Sequence, residues 1–180
     1  MVCQWLPGAA QRGTIVQQMI EKSVITPISG IAELSAAIDE IIASATRHIV
    51  IFDRDMAEGG YNSALRFNRF KVFLLSNRRN RIDIALHKSE SLERDCARMM
   101  TLLRQFPYAI HIHRTLPEAQ RVQDGFVIAD GIHYVHRFHC DHPRGQLAFH
   151  DESGAAILQR RFDEIWGYTE PAAAATVLGL

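Results

Sequence analysis

The densest run of side chains able to do chemistry is His133, His136, His139, Cys140, Asp141 and His142. Imidazole, thiolate and carboxylate are the groups zinc takes. On an extended strand, however, His133 and His139 face one way and His136 the other. Only a tight turn near Cys140–Pro143 could bring three together; no metal site is expected, nor one from His111 and His113, which share one strand face. A second set stands where apolar runs end: Asp53, Arg54 and Asp55; His87 and Lys88; Arg114; Gln123, Asp124 and Asp130; Arg137 and His139. Arginine and histidine suit a phosphate or a carboxylate. The competing reading is that these opposite charges pair among themselves and fix the loops. A third set, Arg66, Arg69, Lys71, Arg78, Arg79 and Arg81, is interleaved with Tyr61, Phe67 and Phe70. It suits nucleic acid, or more simply a solvated basic face over buried aromatics. Nucleophile triads find no support. Cys96 falls on the apolar side of a helix, and neither a Gly-x-Ser-x-Gly elbow nor a Gly-rich phosphate loop occurs.

The elements that carry these residues follow from periodicity. Helical spacing predicts helices over Ile31 to Thr46, Tyr61 to Leu75, about Ser91 to Phe106 and Ser153 to Trp166. Strands are predicted at His48–Phe52, Ile82–Leu86, Ala109–Arg114, Phe126–Ala129, His133–His139 and Gly145–Phe149. Gln11 to Lys22 reads as a short helix in an N-terminal extension, and Ala172–Leu180 as a tail. The order implies an α/β fold on a mixed central sheet of about six strands. Ligands of such sheets bind at the C-terminal ends of the strands, where the second set lies.

With 180 residues, 47% of them hydrophobic and 22% charged, the composition is that of a globular domain. Lys plus Arg and Asp plus Glu both count 20, so no global basic field attracts nucleic acid. An odd set of cysteines, Cys3, Cys96 and Cys140, without framework spacing fits a reducing cytoplasmic setting. Neither a signal peptide nor a membrane-length apolar run is expected.

The stretch Val122–Gly131, V-Q-D-G-F-V-I-A-D-G, resembles the catalytic strand of one half of a phospholipase D-like domain. That superfamily writes the strand as His, any residue, Lys, any four, Asp. The three places fall on Gln123, Gly125 and Asp130. The family's downstream Gly-Ser-x-Asn falls near Arg137-Phe138-His139-Cys140 and does not match. The resemblance runs from about Ile28 to Trp166 and is shared with uncharacterised bacterial domains, some joined to acetyltransferases. It implies a domain over 28–168, flanked by an extension (1–27) and a tail (169–180), with helices on both faces of the sheet. It also implies a homodimer, since complete enzymes pair two halves.

The family's mechanism needs a histidine to attack phosphorus, a second to protonate the leaving group, and lysines to neutralise the phosphoryl oxygens. Gln123 offers no basic lone pair and Gly125 no charge. The expectation is a non-catalytic domain without cofactor. It would bind an anionic ligand or a protein partner through Asp53, Asp55, His87, Lys88, Arg114, Gln123, Asp130, Arg137 and His139. The alternatives are residual phosphodiesterase chemistry through His87, His111 or His139, and a nucleic-acid-binding accessory role for the basic run.

Overall fold

The computed structural model describes residues 23–173. The element order is β1 (Val24–Ile28), α1 (Ile31–Ser44), β2 (His48–Asp55), α2 (Ala64–Ser76), β3 (Arg81–Lys88), α3 (Leu92–Asp95), α4 (Ala97–Gln105), β4 (Ile110–Thr115), β5 (Gly125–Ala129), β6 (His133–His139), β7 (His142–Phe149), α5 (Glu152–Trp166) and β8 (Thr169–Ala173). All strands join one 8-stranded sheet in the order β1-β7-β6-β5-β2-β3-β4-β8. β2, β3 and β4 run parallel, and every other pairing is antiparallel.

Alternation along β2 explains the two layers. Ile49 and Ile51 point into a core with α1, α2 and α4, while Val50 and Phe52 point into a second core under α5. Both faces are therefore covered, and the central strands read as unbroken apolar runs rather than alternating ones. Ile41, Ile49, Ile51, Phe70, Ile82 and Ile84 are completely buried. Each stabilises the fold by about 1.5–3 kcal/mol relative to exposure.

Local signals set the helix ends. The Glu33 carboxylate accepts hydrogen bonds from the backbone N–H groups of Ser29 (2.9 Å) and Gly30 (3.3 Å) at the start of α1. Ser63 caps α2, and Asp151 caps α5. The single helix expected between Ser91 and Phe106 breaks at Cys96 into α3 and α4.

The sheet has eight strands rather than about six. The extra ones, β1 and β8, form its two edges, inside segments read as extension and tail. Each carries a proline, Pro27 or Pro171, and β1 is exposed except at Ile28. Proline lacks the N–H a central strand needs, so an edge is where it fits. That chemistry reads in sequence as a turn or tail. The helix expected over Gln11 to Lys22 lies outside the described residues, as does the tail beyond residue 173.

Candidate ligand site at the strand ends

Because β2, β3 and β4 are parallel, Asp53, Asp55, His87, Lys88 and Arg114 come to one edge of the sheet. β5 starts at that edge and β6 ends there, which adds Gln123, Arg137 and His139. Across three neighbouring strands, Asp53, Gly125 and Arg137 form a row on the α1 face. Gly125 pairs with Arg137, and a Cβ on Gly125 would lie 3.6 Å from Asp53 Oδ1. The row is thus a carboxyl, a missing side chain and a guanidinium.

A cavity of about 140 Å³ occupies the place in front of Gly125. Its walls include Ile31, Leu34, Ile38 and Val135, with Asp53 and Arg137 supplying charge. Among the described residues, neither a histidine nor a lysine lines it. Asp53 is only 7% exposed. Burial pushes its carboxyl up to about 6, against the opposing pull of the Arg54 backbone N–H and the charges of Arg137 and Arg54. The Tyr61 phenol, itself buried, is pushed well up by burial and by the neighbouring Asp53 charge.

The loop from Asp55 to Tyr61 closes this corner. Asp55 Oδ1 accepts from the N–H groups of Ala57 (2.7 Å) and Glu58 (3.2 Å), and Oδ2 accepts from Ser91 Oγ (3.0 Å). Its acceptors build the turn, so Asp55 shapes the loop. A Cβ on Gly59 would lie 2.4 Å from the Tyr61 ring and 2.8 Å from Asp53 Oδ2, a space only glycine fits. Arg66 is 3% exposed and holds the loop from α2. It donates to Gly59 O (2.5 Å), Asp39 Oδ1 (2.9 Å) and Ser35 O (3.0 Å), and lies over the Tyr61 ring.

Beside the cavity lies the turn joining β6 to β7. Arg137 donates through Nε to His142 O (2.9 Å) and through Nη2 to Cys140 O. Arg54 bridges to Asp141 (2.6 Å) and Glu58 (2.7 Å), which raises its already high pKa, and its Nη1 lies 3.4 Å from Cys140 Sγ. Gln123 Oε1 is 3.4 Å from the same sulfur. The turn does gather donor atoms of His139, Cys140 and Asp141 within 4.8 Å of one another, which strand geometry alone does not predict. The Arg54 guanidinium already sits on the thiol and the carboxylate, so the positive charge a metal would bring is in place.

Several expected site residues belong elsewhere. Asp130 is the main correction. β5 runs antiparallel to β2, so its end lies at the opposite edge from Gln123 and Gly125. There Asp130, at φ 56°, accepts from the N–H groups of Thr46 (2.8 Å), Arg47 (2.7 Å) and His48 (2.9 Å) and from the Thr46 hydroxyl (2.7 Å). Burial pushes its carboxyl up, but these bonds outweigh it and hold the pKa below the ordinary value. It clamps the entry to β2, across the sheet from Gln123 and Gly125. His87 reaches the right edge but points to the α5 face. Both its ring nitrogens are engaged, with the Thr115 hydroxyl (2.7 Å) and Val122 O (2.5 Å). Arg114 pairs with Glu170 at 2.5 Å and Glu90 at 3.8 Å. Lys88 and His139 are at the edge but outside the cavity, His139 Nδ1 accepting from the Asp141 N–H (3.2 Å). The basic run is also divided: Arg66 is buried, and it shares Asp39 with Arg69. Tyr61 and Arg66 fit helical spacing in sequence, which hides their place in the site, and Gly59 precedes that helix in an unassigned segment. The one signal is Gly59-Gly60, four residues past the end of β2.

A family model described as "Domain of unknown function (DUF7931)" matches residues 31–177. The chain belongs to this family. No curated protein matches it. Among solved structures, this DUF7931 chain is similar to TrmBL2, an archaeal chromatin protein whose structure shows a novel mode of DNA binding, at 15% identity and a TM-score of 0.62. That alignment covers 84% of the DUF7931 chain but only 56% of the chromatin protein. NucT from Helicobacter pylori aligns at 10% identity and TM-score 0.57, covering 83% and 99% of the two chains. Nuc from Salmonella typhimurium, a phospholipase D family member, aligns at 10% identity and TM-score 0.55, covering 83% and 98%. The DUF7931 chain thus has the phospholipase D-like fold. Among the described residues, no helix is long and apolar enough to cross a membrane.

Proposed function

We propose that this DUF7931 domain is a non-catalytic phospholipase D-like half that binds a small ligand bearing a carboxylate or phosphate at its strand-end cavity, as a cytoplasmic homodimer in a regulatory role. One observation carries the reading. The two positions that the resemblance assigns to histidine and lysine hold Gln123 and Gly125, and in front of Gly125 is a cavity that Arg137 faces. Arg137 is fixed by two backbone carbonyls, which orients its guanidinium before any ligand arrives. Residual phosphoryl chemistry lacks support, since His87, His111 and His139 do not converge. His87 is on the α5 face, and His111 pairs with Asp83 (2.7 Å) near the far edge.

The test is an assay with bis(4-nitrophenyl) phosphate beside calorimetric titration with small carboxylates and inorganic phosphate. Expected are no turnover above background and binding that Arg137→Gln removes. Hydrolysis that disappears in His139→Ala would overturn the reading.

A nucleic-acid role is favoured by the similarity to TrmBL2 alone. Two members of the basic run are already spent on Asp39. That role predicts salt-dependent DNA or RNA binding, weakened when Arg78, Arg79 and Arg81 are neutralised; unchanged affinity ends it.

A further inference from the structure

The cavity presents opposite charges at its two sides. An ionised carboxylate has about four acceptor sites. Around Asp53, the Arg54 N–H (2.7 Å) and the Tyr61 phenol leave some of these open. On the other side, Arg137 uses Nε and Nη2 on backbone carbonyls, and Nη1 makes no hydrogen bond among the described residues. Between them Gly125 contributes no side chain; Ile31, Leu34, Ile38, Val127 and Val135 give the cavity a largely aliphatic side, while Ser35, Tyr61 and Glu58, the last paired with Arg54, line the rest. The volume of about 140 Å³ is far above the ~10–15 Å³ that one water needs.

A simple anion would answer Arg137 and meet the charge of Asp53. A simple amine would answer Asp53 and meet Arg137. A molecule carrying both charges on one carbon, with an apolar substituent, answers the two sides and the walls together. We infer that the cavity takes a small aliphatic α-amino acid, its ammonium on Asp53, its carboxylate on Arg137 and its side chain against the α1 face. This rests on the proposed function, that the cavity binds a carboxylate-bearing ligand, and it names the ligand class.

The two ideas separate by pH. The charged and titratable groups facing Asp53 are Arg54 from its own strand, Arg137 from β6, and Glu58 and Tyr61 from the loop. An ammonium needs Asp53 ionised, so amino-acid affinity falls as pH drops through about 6. A ligand with only a carboxylate is repelled by ionised Asp53, so its affinity rises over the same interval.

The experiment is calorimetry of the full chain with L-valine, with isovalerate (the same skeleton without the amine) and with isobutylamine (without the carboxylate), at about pH 7.5 and about pH 5. Expected is L-valine binding at least about tenfold tighter than either analogue, with Asp53→Asn and Arg137→Gln each costing about tenfold or more. Gly125→Leu, which removes no charge, should block the cavity and abolish binding. Circular dichroism confirms that each variant folds. Isovalerate binding as tightly as valine, and tighter at the lower pH, would overturn the amino-acid inference while the anion-site reading stands. Isobutylamine binding as tightly as valine overturns both. If none of the three binds, the amino-acid inference falls, and phosphate binding in the earlier titration then decides the broader reading.

Discussion

Asp53 and Asp130 stand at opposite ends of the same antiparallel pair, β2 with β5, and their surroundings differ in burial and in hydrogen-bond supply. Asp130 meets three backbone N–H groups and a hydroxyl. Asp53, more deeply buried, meets one backbone N–H, a phenol and a cavity. Burial raises both carboxyls; at Asp53 one backbone hydrogen bond leaves the pKa up at about 6, while at Asp130 the several hydrogen bonds outweigh burial and hold it below its ordinary value. A fully served carboxylate stabilises a fold. One held under-served beside empty space costs stability, and such sites are where ligands bind. Asp83 belongs with Asp130. Burial raises its pKa, but His48 (2.8 Å) and His111 (2.7 Å) more than reverse that and hold it low.

The sharpest way to break the comparison is to remove what holds the Asp53 corner closed. Arg66→Ala leaves Asp39 and the Gly59 carbonyl without their buried donor, and should destabilise the protein by about 3–5 kcal/mol in urea unfolding. A loss below ~1 kcal/mol would mean that the loop does not depend on it.

Asp53→Asn should act with the opposite sign. The folded-state pKa is raised, so the proton's contribution is fully present below the ordinary value of 3.8 and is lost as pH rises through about 6. Native and variant should be equally stable near pH 4, and the variant more stable by about 3 kcal/mol near pH 8. Urea melts across that range measure it.

Asp130→Ala should cost about 2 kcal/mol at neutral pH, a figure kept low because the site is partly exposed. Here the folded-state pKa is depressed. The native advantage is present above the ordinary carboxylate value and disappears as pH falls through the lowered one. The pH profiles of the two variants should therefore run in opposite senses.

The smallest effects separate the two glycines. Gly59→Ala, with its Cβ 2.4 Å from the Tyr61 ring, should cost about 1–3 kcal/mol. Gly125→Ala has 3.3 Å to the Phe52 carbonyl and open cavity beyond, and should stay within about 0.5 kcal/mol. Thermal melts of the pair test whether the space before Gly125 is as free as it looks.

Much of this was readable from residue order. β6 falls on His133–His139 as its apolar alternation predicts, and the charges Asp53 and Arg137 are placed at one edge once β2 and β6 are recognised. What was not readable depends on direction and partners. Asp130 ends an apolar strand as expected, but whether that end meets the site or lies across the sheet from it depends on β5 running antiparallel to β2, a long-range pairing. Arg66 looks like a solvated cation because Asp39, its partner, lies 27 residues away on another helix. His87 has the right position along β3 and the wrong face. Edge strands with proline carry no periodic signal, so β1 and β8 read in sequence as extension and tail.

The most direct measurement is a carbon-detected NMR titration of the carboxyl groups of Asp53 and Asp130 in one sample, with and without ligand. A midpoint near 6 is expected for Asp53 and one below the ordinary carboxylate range for Asp130. Adding a cavity ligand should move the Asp53 midpoint alone. Two low midpoints, or a ligand that shifts neither residue, would contradict this expectation.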